Sequence, residues 1–146
     1  MNKTLKSVSI MIRASNTLQE VLKKDIYCYK LNPAEFGVLE YLYHKNEQQI
    51  IQICDKLLMP NSSMTYVIDK LESKDLVQRK VNDDDKRSTL IELTDKGKKL
   101  FDEIFPKHEL KINEIFSVLS DEEIETLNTL LKKVGYNCKN IIEKES

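Results

Sequence analysis

Polar side chains that suit a nucleic acid cluster on one predicted helix, over residues 61–70. Hydroxyl groups both donate and accept hydrogen bonds, so they suit base edges without selecting one base, and a lysine suits a phosphate. The alternative is an ordinary solvated helix face. The candidates for DNA contact on this helix are Asn61, Ser62, Ser63, Thr65, Tyr66 and Lys70.

A second candidate cluster, residues 82–90, reads NDDDKRSTL and places acids beside a basic pair. Lys86 and Arg87 suit phosphates, whereas the carboxylates of Asp83, Asp84 and Asp85 would repel them. We expect Asp83 and Asp84 to form a turn and Asp85 to orient Arg87 through a bidentate pair. The alternative for this segment is a solvated, charged turn.

Apolar periodicity predicts the elements that must position these clusters. Residues 50–58 read as a short helix with Cys54 and Leu58 inward, and Met59-Pro60 stops it. Asn61 then caps a second helix over residues 62–73. Two short helices joined by a break of three or four residues form the helix-turn-helix pattern.

The sequence period then changes from that of a helix to that of strands. Residues 76–81 and 88–93 are two predicted strands, and the acid-rich segment between them has turn chemistry. A β-hairpin therefore follows the helix-turn-helix. Thr94 caps the next helix, which we expect Pro106 to kink or split.

Long amphipathic helices are predicted at both ends of the chain. Residues 5–30 form the first, and Asn32-Pro33-Ala34-Glu35 opens a further helix with a capping box. A second capping box, Ser120–Glu123, opens the last helix. So much apolar helix surface at both ends favours pairing with a second copy of the chain.

Composition and motifs exclude several classes of protein. The 146 residues have a net charge of −1, so any basic footprint is local. Three scattered cysteines predict neither zinc nor a disulfide framework, and no cofactor is expected. Without a nucleophile elbow, phosphate loop or paired catalytic carboxylates, no enzyme is expected. Without a signal peptide or a long apolar run, we expect a cytoplasmic protein that makes no membrane contact.

Three segments together resemble the MarR family of winged helix-turn-helix transcription regulators. They are LESKDLVQRK, the acid-rich turn DDDKR, and LIELTDKG, and the resemblance covers about residues 5–142. The segment NPAEFGVLEYLYHK is most similar to the branch of the family linked to quinone stress. The fold class is therefore mainly α with a small β-hairpin wing, a winged helix-turn-helix flanked by terminal dimerisation helices.

The resemblance implies how one domain over residues 1–146 is organised. Residues of about 33–94 would form the DNA-binding lobe, and about 5–30 and 95–142 the dimerisation helices. A homodimer would read a near-palindromic operator in double-stranded DNA as a repressor. A small aromatic molecule, an electrophile or an oxidant would release it.

The resemblance also gives roles to single residues of the wing. By this resemblance, Arg87 would enter the minor groove of DNA and Lys86 would lie near the DNA backbone. Asp69 matches an acidic position that can face the wing, so it is a second candidate for orienting Arg87. Asp75 stands where the family often has glycine, and aspartate tolerates the left-handed conformation.

In the family, the effector pocket lies where the dimerisation helices meet the DNA-binding lobe. The candidates there are Tyr27, Tyr29, Tyr43, His44 and the thiol of Cys28. The alternative is that the aromatics only pack and that Cys28 is a small hydrophobe. Cys28 does not match the position of the reactive cysteine in the oxidation-sensing members. The two histidines, His44 and His108, are expected to be surface or capping residues rather than ligands.

A second class of function stays open, a winged-helix protein-interaction module without specific DNA binding, because the net charge is near zero. Several cations also stay open between phosphate contact and plain surface charge: Arg13, Lys74, Arg79 and Lys80. Three others, Lys96, Lys98 and Lys99, are expected to be solvated.

Overall fold

Local signals set the first two helices. In the computed structural model, which describes residues 2–146, α1 runs Lys3–Tyr27 and α2 runs Pro33–Lys45. The predicted capping box is confirmed: Asn32 Oδ1 accepts from the Glu35 amide at 2.8 Å, and Glu35 Oε1 accepts from the Asn32 amide at 3.0 Å. The inward face of α2, whose start is set by this capping box, buries Phe36, Val38, Leu39 and Leu42.

The helix-turn-helix consists of α3, Ile50–Leu57, and α4, Asn61–Ser73. Two predictions about the break between them are wrong. Pro60 is the residue that caps α4, and Asn61 already belongs to the helix. Leu58 is 91% exposed rather than inward, because it ends α3 in the left-handed conformation (φ 54°, ψ 44°), which turns its side chain away from the apolar face.

The hairpin is confirmed as β2, Val77–Val81, and β3, Thr89–Leu93. A two-residue strand β1, Gln48–Gln49, joins it and was not predicted, since two glutamines carry no periodicity. The antiparallel sheet has the order β1-β3-β2. Arg79 lies opposite Ile91, which is fully buried, so the central strand anchors the hairpin in the core.

Two helices complete the chain, α5 over Asp95–Phe116 and α6 over Asp121–Glu145. Of the kink or split expected at Pro106, the split is wrong, because α5 continues across the proline. A proline removes one backbone donor, and in α5 the buried residues Phe101, Ile104 and His108 pack on both sides of it. The capping box of Ser120 and Glu123 is confirmed.

The chain divides into two compact units, one ending at His108 and the other running from Glu109 to Ser146. The core lies in the first unit, and its fully buried large side chains come from α2, α3, α4, the hairpin and α5. They are Phe101, Leu39, Ile53, Met64, Ile68, Leu71, Ile91, Val38 and Val77. Over residues 2–146, no helix is long and apolar enough to cross a membrane.

The end of α4, the base of the hairpin and the start of α5 meet around one threonine. The Thr94 hydroxyl donates to the Asp75 carbonyl at 2.6 Å and accepts from the Gly97 amide at 3.0 Å. The Thr94 amide donates to the Leu76 carbonyl at 3.1 Å. Asp75 has the left-handed conformation that its position predicts (φ 61°). A Cβ on Gly97 would lie 2.1 Å from the Leu76 carbonyl oxygen, so this contact requires glycine.

Gly97→Ala is expected to destabilise the protein by about 1–3 kcal/mol, because backbone must move away from the new methyl group. Urea unfolding followed by circular dichroism measures the change. Gly135→Ala is the matched control, since a Cβ there has no neighbour within 4 Å and lies inside α6. That control should be neutral or gain about 0.5–1 kcal/mol. Equal effects of the two substitutions would show that the contact at Gly97 relaxes freely.

Candidate nucleic-acid interface

One face of α4 is polar and open to solvent. Met64, Val67, Ile68 and Leu71 are buried on the opposite face. The Thr65 hydroxyl donates to the Asn61 carbonyl at 2.9 Å, which leaves the lone pairs of its oxygen available to accept. The exposed side chains are those expected from the sequence: Asn61, Ser62, Ser63, Thr65, Tyr66, Asp69 and Lys70.

Asn82 shapes the wing tip, the segment between β2 and β3. Its side chain accepts from the Asp84 amide at 3.1 Å and donates to the Ser88 hydroxyl at 2.9 Å. Asn82 is buried, at 8% exposure. The turn expected at Asp83 and Asp84 is confirmed: they are its two central residues, and the Asp85 amide closes it by donating to the Asn82 carbonyl at 3.2 Å. An asparagine two residues before the amide that it binds is a recognisable local signal for the role of Asn82.

Arg87 extends from the wing tip into solvent, with its side chain 94% exposed. Asp85 Oδ1 accepts from the Arg87 amide at 3.1 Å and from its Nε at 3.4 Å. Asp85 therefore contacts Arg87 as expected, but through one carboxylate oxygen rather than as a bidentate pair. Lys86 is also exposed. The guanidinium keeps its two terminal amino groups free of the aspartate, so they remain available to a partner.

Asp69 does not face Arg87, which corrects the second candidate for orienting that residue. Its Oδ1 accepts from Nη2 of Arg79 at 2.7 Å, and Arg79 Nη1 donates to Glu72 Oε1 at 2.5 Å. The hydrogen bond to Asp69 raises the pKa of Arg79 and outweighs burial, which works against ionisation of the guanidinium. The strand β2 passes beside α4, whereas the wing tip does not. Asp69 thus contacts the wing through its base.

Lys74, at the end of α4, binds a buried acid. Its Nζ lies 2.8 Å from Oε2 of Glu35, whose side chain is 3% exposed. Burial raises the pKa of Glu35, but the hydrogen bonds from Lys74 and the Asn32 amide outweigh burial, so the pKa is lowered overall. Lys96 Nζ donates to the Lys74 carbonyl at 3.1 Å, so Lys96 is not simply solvated. The contact with Glu35 holds the end of α4 against the start of α2, and the contact with Lys96 holds it against the start of α5.

The effector candidates at the end of α1 face different surroundings. Tyr27 and Cys28 are exposed, and the Cys28 thiol donates to the Lys24 carbonyl at 3.3 Å. The Tyr29 hydroxyl instead donates to Asp25 Oδ1 at 2.7 Å, and burial and this acid raise its pKa. Cys54, expected to pack inward, is buried, and burial raises the pKa of its thiol.

Tyr43 and His44 lie elsewhere, in contact with α5. The Tyr43 hydroxyl donates to Asp102 Oδ1 at 2.5 Å, which raises the pKa of Tyr43. Tyr43 lines a cavity of about 450 Å³ together with Leu42, Glu92 and Lys98, among others. His44 lines a separate cavity of about 310 Å³. Tyr43 and His44, although adjacent in sequence, thus line different cavities.

His44 is exposed, whereas His108 is buried and so does not have the surface position that was one of its two expected roles. Nδ1 of His108 lies 2.8 Å from Asp25 Oδ2, and Nε2 lies 3.8 Å from Glu40 Oε2. The ring also packs on Phe36, with centroids 4.6 Å apart. We call Tyr29, Asp25, His108 and Glu40 the junction network. It joins α1, α2 and α5, and no sequence signal pairs residues 25 and 108.

Sequence comparison agrees with this architecture. A family model described as transcriptional regulator SarA/Rot matches residues 17–104. The regulator MhqR of Bacillus subtilis is 45% identical over 142 residues, covering 97% of this chain and 98% of MhqR. This chain belongs to the MarR family. The match to MhqR confirms the quinone-linked branch indicated by NPAEFGVLEYLYHK.

Solved MarR-family structures share the fold. AbsC of Streptomyces coelicolor superposes with a TM-score of 0.86 at 18% identity, over 96% of this chain and 97% of AbsC. A cysteine-to-serine mutant of Escherichia coli MarR, complexed with operator DNA, gives 0.78 at 24%, over 91% and 96%. NadR in complex with 4-hydroxyphenylacetate gives 0.74 at 22%, over 85% and 88%.

The protein is thus a winged helix-turn-helix regulator of transcription, and the relatives named above are regulators rather than enzymes. Within residues 2–146, no group of three or more histidine, cysteine, aspartate or glutamate side chains is arranged to hold a metal ion.

Glu35 should make stability depend on pH in a defined direction. Its lowered pKa means that ionised Glu35 stabilises the fold above its unfolded pKa, about 4.3, and that this stabilisation is lost as pH falls through the folded pKa. Glu35→Gln should therefore destabilise the protein at pH 7, and this deficit should shrink progressively as pH falls below about 4.3. Urea unfolding across this range tests it, with exposed Glu109→Gln as control. A deficit that is constant with pH would contradict the assignment.

Proposed function

We propose that this protein is a cytoplasmic, dimeric repressor. Its two winged lobes bind a near-palindromic operator in double-stranded DNA, and a small aromatic molecule releases them. One observation carries the proposal: the hydroxyl-rich face of α4 is open to solvent, and the exposed cations Lys86 and Arg87 lie at the tip of the hairpin that follows it.

The chemistry of these two surfaces suits the two grooves of DNA. The major groove admits a helix, and the hydroxyls of α4 can donate to or accept from base edges. After Asn61, no arginine, asparagine or glutamine lies on this face of α4 for bidentate base recognition, so most of the face discriminates bases weakly. Arg87 is long, exposed and free at its terminal amino groups, which suits insertion into a narrow, electronegative minor groove.

The terminal helices support a homodimer. Each carries large apolar side chains that are about half exposed or more, and extended apolar surface of this kind marks a protein interface. On α1 they include Leu5, Val8 and Ile12, at 62%, 54% and 56% exposure. On α6 they include Leu130, Val134 and Ile142, at 54%, 47% and 66% exposure. A symmetric dimer places two lobes on one palindromic site.

The alternative function, a winged-helix module that binds only proteins, rested on the near-zero net charge. The family membership favours the DNA-binding regulator. Salt dependence separates the two functions, because protein that binds phosphates releases counterions and loses affinity as salt rises.

An operator selected from random duplexes should bind at low salt and lose at least about a hundredfold in affinity between roughly 50 and 200 mM salt. Arg87→Ala should weaken binding about tenfold or more, since it removes hydrogen bonds from a charged donor. Lys99→Ala, an exposed cation of α5, is the matched control and should change affinity little. Fluorescence anisotropy measures all three.

Two outcomes would contradict the DNA-binding function. One is the absence of any retained duplex at low salt. The other is an affinity that stays flat as salt rises, and that result would favour the protein-interaction module.

For the signal, we propose a non-covalent aromatic effector rather than a reactive thiol. The Cys28 sulfur contacts the Lys24 carbonyl of its own helix at 3.3 Å. Its position does not match that of the reactive cysteine in the oxidation-sensing members of the family. The junction network offers a phenol, a histidine and two carboxylates beside Phe36, where α1 meets α2 and α5. An aromatic molecule with polar groups would compete for these contacts. NadR, with the same fold, was solved with 4-hydroxyphenylacetate.

Cys28→Ser is therefore expected to remain responsive, leaving its operator on addition of 1,4-benzoquinone at the same concentration as the unsubstituted protein. Cys138→Ser, at the other exposed cysteine, is the matched control. Anisotropy of labelled operator gives the midpoint. If Cys28→Ser stays on DNA while Cys138→Ser leaves it, thiol sensing at Cys28 replaces the non-covalent mechanism.

A further inference from the structure

Arg79 is the residue through which the recognition helix α4 holds the wing. Its guanidinium lies between two acids of that helix, 2.7 Å from Asp69 and 2.5 Å from Glu72. The arginine side chain is 31% exposed. We call these three residues the helix–wing ion pair.

The positions of the three residues allow this contact to restrain strand β2, and with it the wing, against α4. Asp69 and Glu72 are three residues apart, so they lie on one face of α4. Arg79 is the central residue of β2, and this strand leads through Val81 and Asn82 directly into the wing tip. The two terminal amino groups of Arg79 bind different acids, and two separate bonds restrain rotation of the strand against the helix more than a single bond would.

Folding stability does not explain the arrangement. Asp69 and Glu72 are 60% and 41% exposed, and ion pairs at such exposure contribute little to stability. The buried hydrophobic side chains Leu71, Val77 and Ile91 already hold the hairpin in the core. What the core does not determine is the angle of the wing tip, which extends beyond the last buried pair of the sheet.

We infer that Arg79 is a positioning residue for operator binding. It holds the wing at the distance from α4 at which Arg87 and the hydroxyls of α4 reach DNA together. Its own guanidinium is engaged with two carboxylates and does not contact the operator. This inference rests on the proposed DNA-binding function.

The substitution Asp69→Ala distinguishes a positioning role of Arg79 from a purely electrostatic effect on operator binding, because the two predict opposite changes in affinity. Asp69→Ala removes an acid from the helix that faces DNA and frees a cation, so charge alone would tighten binding. Positioning makes the opposite prediction, because the wing loses one of its two restraints. We expect Asp69→Ala to weaken operator binding severalfold and Arg79→Gln to weaken it about tenfold. Both losses lie within the range of interaction energies found between residues in contact.

The decisive measurement is a double-mutant cycle with the wing tip. Operator affinity is measured by anisotropy for the unsubstituted protein, Arg79→Gln, Arg87→Ala and the double variant. If Arg79 acts through the wing, the loss caused by Arg87→Ala shrinks to less than about threefold in the Arg79→Gln background. Lys99→Gln, which removes a cation of α5, is the matched control and should leave the effect of Arg87→Ala unchanged.

Thermal unfolding accompanies each affinity. The midpoint of Arg79→Gln should stay within a few degrees of that of the unsubstituted protein, since an exposed ion pair is lost. If Arg79→Gln does not fold, Arg79→Lys replaces it in the same cycle, because lysine keeps the charge but cannot bind both acids. With lysine, an intermediate loss of affinity is expected.

Three results would overturn the inference while leaving the DNA-binding function intact: tighter binding by Asp69→Ala, unchanged affinity of Arg79→Gln, or losses that multiply in the double variant. Failure of the unsubstituted protein to bind any duplex would instead remove the proposed function, and this inference with it.

Discussion

The structure depends on the close approach of α5 to the backbone of Leu76. At Gly97 there is room for a hydrogen atom but not for a methyl group, which would lie 2.1 Å from the Leu76 carbonyl oxygen. That same oxygen accepts the Thr94 amide, and the Thr94 hydroxyl caps α5 while it binds the Asp75 carbonyl. One threonine therefore sets the end of the recognition helix, the base of the wing and the start of α5 in a single backbone arrangement.

From this junction the lobe is held by polar contacts at its edges rather than by further core. Lys74 binds the buried Glu35 and ties the end of α4 to the start of α2. Arg79 binds Asp69 and Glu72 and ties the wing to α4. The exposed pairs of Arg79 add direction more than stability, because charged groups gain little from pairing at the surface. The buried carboxylate of Glu35 also stabilises the fold. A protein that must present a helix and a hairpin to one duplex needs that direction.

The acids of this lobe have separate tasks. Asp85 contacts Arg87 at the wing tip, Asp69 binds the base of the wing, and Glu35 caps α2 while holding Lys74. Their charges are thereby opposed by nearby cations on a surface proposed to face phosphates. Asp83 and Asp84 remain as exposed charge at the tip. Their repulsion disfavours DNA wherever Arg87 is not seated in a groove.

The sequence by itself determined most features whose cause is local, although the start of α4 and the contacts of Asn82 were local features that it did not predict. Capping boxes, apolar periodicity, the left-handed Asp75 and the hairpin depend on residues a few positions apart, and the wing motif identified the family. The tertiary structure decided what depends on distant residues. Asp69 binds Arg79 rather than Arg87, and His108 is buried against Asp25, which lies 83 positions away in the sequence. The partner of a charged or aromatic side chain depends on which helices and strands pack together. Such a side chain can bind many others, and packing decides which of them lies within reach.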